Sequence, residues 1–181
     1  MGYGSNSDTS DATDLCTACG LCCSGALFDS VPFPPSEIDA VVALGLELFE
    51  EPEGQPRFHQ PCLHLKGTTC AVYEQRPSSC RAFRCKLLQA IDEGVHTPSS
   101  ARAIVDEARA MIDHVVPQMD AAGLSVKPRH WGTLLKKWQT ESRAGRAAPE
   151  EAKTVLELTL LNRFLDTHFR DPGQQVVKPK E

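Results

Sequence analysis

The distribution of cysteine constrains this chain more than any other feature of its sequence. All eight cysteines of the 181 residues lie in the first half, and the second half has none. Cysteines placed at random would fall within so narrow a window in fewer than ~1% of chains. The clustering therefore indicates a shared site. Its candidate metal ligands are Cys16, Cys19, Cys22, Cys23, Cys62, Cys70, Cys80 and Cys85.

The expected cellular compartment decides how these cysteines are interpreted. Residues 1–13 contain no basic segment followed by an apolar stretch, so they predict a disordered lead-in rather than a secretory signal. Apolar runs such as residues 41–46 are far shorter than the ~20 residues that a membrane helix needs. We expect a soluble, cytoplasmic protein with no membrane partner. Because disulfides are rare among reduced cytoplasmic thiols, metal binding is favoured over a disulfide framework.

The charge distribution argues against a nucleic-acid partner. The net charge is −5, and residues 1–95 hold 13 acids against 6 bases. Residues 96–181 hold the remaining 11 acids against 13 bases. Neither half has the concentrated basic surface that is typical of nucleic-acid binding.

The spacing of the cysteines leaves two kinds of metal site open. Structural zinc usually takes four ligands from two C-x2-C pairs, but the last four cysteines are separated by intervals of 8, 10 and 5 residues. The first block reads C-x2-C-x2-C-C, which contains the run that bacterial ferredoxins use for iron–sulfur ligation. The predicted cofactor is therefore an iron–sulfur cluster, for example of the [4Fe-4S] type, or Zn²⁺.

The adjacent cysteine pair and three residues close to the cysteines also bear on this site. Cys22 and Cys23 are neighbours whose side chains tend to diverge, so they serve two metal centres, or one of them is spare. Gly20 lies inside the motif and suits a sharp turn. His59 and His64 flank Cys62 as alternative ligands, although eight thiols make neither one necessary.

Periodicity elsewhere predicts a mainly α fold. The predicted helices cover residues 36–51, 77–94, 101–117, about 130–139 and 150–168, with an irregular loop at 51–69. The expected architecture is an irregular, metal-stabilised, cysteine-rich half packed on a helical C-terminal half. Its predicted parts are a disordered N-terminus at 1–13, a cysteine-rich metal-binding domain at 14–95, a helical region at 96–171 and a polar tail at 172–181.

Three blocks of residues, in this order, resemble a known family. They are the run CTACGLCC from Cys16, the run PCLHL from Pro61, and the run CAVYEQRPSSCRAFRC from Cys70. Over roughly residues 14–90 the chain is similar to the YkgJ-like CxxCxxCC family of zinc- or iron-chelating domains, which is distantly related to flagellin lysine N-methylases. The resemblance implies a metal-cluster protein.

The resemblance also draws attention to residues around the cysteines. Arg76 and Arg81 are candidates to neutralise thiolates, and Arg81 is the stronger of the two. Tyr73 and Phe83 are interpreted as walls that exclude water. Pro77 is interpreted as the start of a helix.

Three functions remain open at this point. The first is a metal-binding protein with a redox, sensing or metal-handling role. The second is a protein-modifying, methyltransferase-like enzyme, although no glycine-rich cofactor loop follows a strand and no catalytic residue is apparent. The third is a zinc-stabilised module that binds a protein partner not yet known.

Overall fold

Helices account for most of the ordered structure. The computed structural model describes residues 14–50, 54–124, 131–146, 149 and 151–171. The predicted lead-in at 1–13 and the predicted tail at 172–181 lie outside these ranges. The seven helices in the described ranges are residues 14–19 (α1), Ile38–Ala43 (α2), Ser78–Ala82 (α3), Lys86–Asp92 (α4), Pro98–Ala121 (α5), Trp131–Arg143 (α6) and Glu151–His168 (α7). The mainly α prediction is confirmed.

In the part of the cysteine-rich half that the structure describes, five short strands accompany the helices. The strands are Ser30–Pro32 (β1), Leu48–Glu50 (β2), Pro56–His59 (β3), Leu65–Lys66 (β4) and Thr69–Cys70 (β5). β3 lies between β1 and β2 in an antiparallel sheet, and Phe58 pairs with both Val31 and Leu48. β4 and β5 form a separate hairpin in which Leu65 pairs with Cys70.

Two predictions for this region are wrong. The helix predicted for 36–51 ends at Ala43, because Gly45 adopts a left-handed φ of 72° and the chain then enters β2. The loop predicted for 51–69 contains β3, β4 and the first residue of β5. Strands of two to four residues carry too little alternation to be recognised, and pairing with distant partners decides their conformation.

The helix predicted for 77–94 is divided in two. Phe83 is extended, with φ −68° and ψ 128°, and the extended Cys85 caps α4. The Phe83 ring packs edge-on against Phe28, with ring centroids 4.9 Å apart, and this tertiary contact stabilises the break. Gly94, with φ 72°, ends α4 as predicted.

The C-terminal helices follow the sequence pattern closely. α5 begins with a capping box between Thr97 and Ser100. It was predicted to end at Pro117, but it continues to Ala121, with Val115 and Met119 buried on either side of the proline. The burial of these side chains offsets the single backbone hydrogen bond that proline removes. α7 packs against both α5 and α6.

The buried apolar side chains of the described residues form two cores. The larger, here called the helical core, joins α4 to α7 with residues of the 15–27 segment, and Leu158, Leu161 and Leu165 are fully buried in it. The smaller, the sheet core, consists of Val31, Phe33, Val41, Leu46 and Phe58. None of the helices in the described ranges is both long and apolar enough to cross a bilayer.

Candidate metal centre

The first four cysteines are carried by α1 and the turn that follows it. Cys16 and Cys19 are three residues apart on α1, so they share one face of the helix. Gly20 then takes a φ of 68°, and a Cβ atom there would lie 2.9 Å from the Cα and the carbonyl oxygen of Thr68. The predicted sharp turn at Gly20 is confirmed. Its closeness to Thr68 brings the cysteine motif against the β4–β5 hairpin that ends in Cys70.

Backbone contacts position the later cysteines around this turn. The Cys62 N–H donates to the Cys23 carbonyl at 2.8 Å, and the Leu65 N–H donates to the Cys62 carbonyl at 3.0 Å. Cys80 lies in the first turn of α3, as predicted, while Cys85 precedes α4. Three segments that are far apart in sequence therefore converge on one place.

Seven of the eight cysteines line a single cavity of about 100 Å³. Cys62 is the cysteine that does not line it. Tyr73 and Phe83 also line it, which is the position that their predicted role as walls requires. Most of the remaining lining is apolar, and it includes Leu15, Leu21, Leu27, Phe28, Val31, Leu87, Leu88, Val105 and Phe169.

Burial makes these thiols hard to ionise. It raises the pKa of Cys19, Cys23 and Cys80 to about 12, and it raises the pKa of Cys22 well above its ordinary value. The pKa values of three more cysteines are raised for the same reason, namely those of Cys16, Cys62 and Cys85. Repulsion between neighbouring thiolates adds to the effect. A bound cation would reverse it, because a metal binds the thiolate form.

Backbone N–H groups partly offset this cost. The Leu21 N–H lowers the pKa of Cys19, and the His64 N–H lowers that of Cys62. The Leu87 and Leu88 N–H groups, at the start of α4, do the same for Cys85. These donors stabilise sulfur in its anionic form.

Arginine charges act on the cysteines, but they differ from the prediction. Arg81, the arginine that the sequence favoured, is exposed. Arg76 instead lies with its guanidinium carbon 3.5 Å from the centre of the Tyr73 ring, and it lowers the pKa of Cys16, Cys23 and Cys80. Arg109 of α5 lowers the pKa of Cys19 and donates to the Ala18 carbonyl at 3.2 Å. Sequence reasoning missed Arg109, since nothing local marks a residue 91 positions away from its partner.

A comparison with protein families identifies the cysteine-rich segment. Residues 15–101 match the family model CxxCxxCC, whose description is "putative zinc- or iron-chelating domain". This segment is similar to the CxxCxxCC family. The resemblance predicted from the three cysteine blocks is thereby confirmed, and so is the general prediction of a metal-binding domain. No curated protein and no solved structure matches the chain significantly.

The residues of the CxxCxxCC domain fit a metal in the chemistry of their donors. In addition to the thiols, three residues that line the cavity have a buried polar atom without a hydrogen-bond partner among the described residues: Gln60 Oε1, Ser79 Oγ and Arg76 Nε. Gln60 and Ser79 are each only 2% exposed. Such atoms are costly unless something in the site satisfies them. In the sequence, Gln60 and Ser79 could have been found only through their nearness to Cys62 and Cys80.

The cysteine side chains of the CxxCxxCC domain line a cavity and do not converge on the position of a single ion. In the described ranges, no group of three or more Cys, His, Asp or Glu side chains stands close enough to hold one metal ion. The two alternative histidine ligands are engaged elsewhere. His64 Nε2 lies 2.7 Å from the Leu44 carbonyl oxygen, and the His59 ring stacks on Phe49 with centroids 4.0 Å apart.

Proposed function

We propose that the CxxCxxCC domain is an iron–sulfur protein, in which all eight cysteines are ligands and electron transfer or redox sensing is the role. The observation that carries the proposal is the cavity of about 100 Å³ lined by seven of the cysteines. One water molecule needs about 10–15 Å³ on the same measure, so the space suits a group of several atoms better than one ion. The C-x2-C-x2-C run agrees with this choice of cofactor.

The surroundings of the thiols suit a buried redox centre. Apolar walls such as Phe28, Phe83 and Leu21 limit the access of water, which would protect a bound iron–sulfur cluster from hydrolysis. Arg76 and Arg109 offset part of the negative charge that thiolates bring into this apolar space. When bound, an iron–sulfur cluster supplies reversible one-electron chemistry. The chain's own residues hold it, shield it and set the charge around it.

Structural zinc is the second candidate, and the small size of the elements favours it. The helices that carry or follow cysteines, α3 and α4, have only five and seven residues, and no strand in the described ranges exceeds four. Elements this short need cross-links to remain ordered, and a four-thiolate zinc site provides them. The methyltransferase-like alternative gains no support from the part of the chain that the structure describes.

Purification without oxygen, followed by spectroscopy, tests the proposal. We expect a brown protein with iron and acid-labile sulfide in equal amounts. Its broad visible absorption should bleach on reduction with dithionite and return on reoxidation. A colourless protein with stoichiometric zinc would overturn the iron–sulfur proposal in favour of the second candidate. A protein with neither metal would overturn both.

A further inference from the structure

We propose that the eight cysteines form two separate four-thiolate centres. Centre A consists of Cys16, Cys19, Cys22 and Cys85, and centre B consists of Cys23, Cys62, Cys70 and Cys80. The chain passes from one centre to the other at the peptide bond between Cys22 and Cys23. The inference rests on the proposed function only in that the cysteines bind metal, and it holds for either metal.

The packing of the cysteines is the first support. Cys19 and Cys22 pack against the helical core, and Cys85 is one of its buried members. Cys62 and Cys80 pack against the sheet core instead. The cysteines of centre A that pack against a core therefore contact the helical core, and those of centre B contact the sheet core.

The backbone around centre A attaches it to the helical half. The Lys86 N–H, next to Cys85, donates to the Phe169 carbonyl at 3.2 Å, beyond the end of α7. Arg109 of α5 binds the Ala18 carbonyl, between Cys16 and Cys19. Centre A is thus fixed from two long helices.

The backbone around centre B attaches it to the strands. The Cys62 N–H donates to the Cys23 carbonyl, and the β4–β5 pairing places Cys70 opposite Leu65. The Ser78 N–H, at the start of the helix that carries Cys80, donates to the Glu37 carboxylate at 3.0 and 3.3 Å. α3 also packs against β1. None of these contacts involves the long helices.

Electrostatic proximity follows the same division. Within centre A every cysteine interacts with each of the other three, and the same is true within centre B. The interactions between the centres that act on these thiols are those of Cys16 with Cys23 and Cys70, and of Cys22 with Cys23. The centres are adjacent but distinct, which would suit transfer of an electron from one to the other if both held iron–sulfur clusters.

Pairs of cysteine-to-serine changes test the division with matched controls. The C19S/C85S variant removes two ligands from centre A, and C62S/C80S removes two from centre B. We expect each variant to retain about half of the metal of the unchanged chain. The mixed variant C19S/C62S also removes two cysteines, but it damages both centres and should lose nearly all of the metal. Equal losses in the three variants would overturn the division.

A measurement on the unchanged chain covers the case in which these variants fail to fold. Loaded with ¹¹³Cd in place of the native metal, the chain should give two cadmium resonances of equal intensity, both typical of four sulfur ligands. A single resonance, or resonances with fewer sulfur ligands, would overturn the division. Two such sites together with native zinc would support it while ending the iron–sulfur proposal. A chain that binds no metal would end both.

Discussion

Different interactions stabilise the cysteine-rich half and the helical half of this molecule. The helices α5, α6 and α7 have 24, 13 and 18 residues, and they bury a continuous set of apolar side chains. The helices α2 and α3 have six and five residues, and the sheet core next to them contains five buried side chains. Helices shorter than ~12 residues are marginal without tertiary support.

This difference teaches where the stability of each half originates. The long helices supply most of the buried apolar side chains of the helical core, and such burial stabilises the folded state. In the cysteine-rich half, burial places thiols at the centre, and burial together with repulsion between neighbouring thiolates raises the pKa of three of them to about 12. Such a centre becomes favourable when a metal replaces the thiol protons. We therefore expect the first half to depend on metal and the second half on apolar burial.

Removal of the metal should have the largest effect on stability, and it should affect the cysteine-rich half much more than the helical half. Structural metal contributes ~10–16 kcal/mol to the folding of small zinc domains, which is more than a domain of this size can lose. A chelator should therefore expose residues 54–92 to limited proteolysis while α5 and α7 remain protected. Circular dichroism should show that most of the helical signal is retained. If both halves resisted protease equally after the metal was gone, the proposed dependence would be wrong.

Shortening a buried leucine should destabilise the helical half without changing the metal content of the cysteine-rich half. Leu158 is 0% exposed in the helical core, so L158A should reduce the free energy of unfolding by about 2–5 kcal/mol. The metal content of the folded protein should not change. L156A is the matched control, because Leu156 lies on the same helix and is 60% exposed, and its effect should stay below about 0.5 kcal/mol. Urea unfolding with metal analysis measures both quantities, and metal loss in folded L158A would contradict the comparison.

The turn at Gly20 offers a smaller and more local test of the cysteine-rich half. G20A places a Cβ in a left-handed conformation, at about 1–2 kcal/mol, and brings it to 2.9 Å from the Thr68 backbone. G45A is a close control, because Gly45 has a φ of 72° and its added Cβ would meet nothing within 4 Å. We expect G20A to lower the melting temperature more than G45A and to weaken metal retention during competition with a chelator. Equal behaviour of the two variants would show that the approach to the hairpin does not matter.

Substitution of Arg76 or Arg81 should give the smallest difference, which we expect in the rate of metal loss to a chelator. R76Q removes a charge that acts on Cys16, Cys23 and Cys80, so we expect metal to be lost to a chelator about tenfold more readily. R81Q, only five residues away on an exposed position, should leave retention unchanged. Competition with a coloured chelator measures the rates. A stronger effect of R81Q would restore the assignment that the sequence suggested.

The parts of the fold that the sequence predicted well are those with strong local signals. α5 has a capping box at Thr97, and α7 repeats buried positions over 18 residues. The cysteine site was recognisable because its residue type is rare and its spacing is unusual. In each case the signal lies within one continuous segment, so distant contacts were not needed to detect it.

The parts that escaped prediction depend on contacts between distant segments. The strand β2 forms because Leu48 pairs with Phe58, and the break after α3 is stabilised by Phe28 against Phe83. Arg109 reaches the cysteine motif only because α5 packs beside it. The grouping of the cysteines likewise depends on which core each of them contacts, and their order along the chain does not reveal it.

Native mass spectrometry of the intact chain, purified without oxygen, tests the central claim most directly. The claim is that the cysteines between Cys16 and Cys85 hold metal. We predict a mass above that of the polypeptide that corresponds to two metal centres, together with eight thiols that resist alkylation until acid releases the metal. A folded chain with the mass of the bare polypeptide and freely alkylated cysteines would contradict the claim.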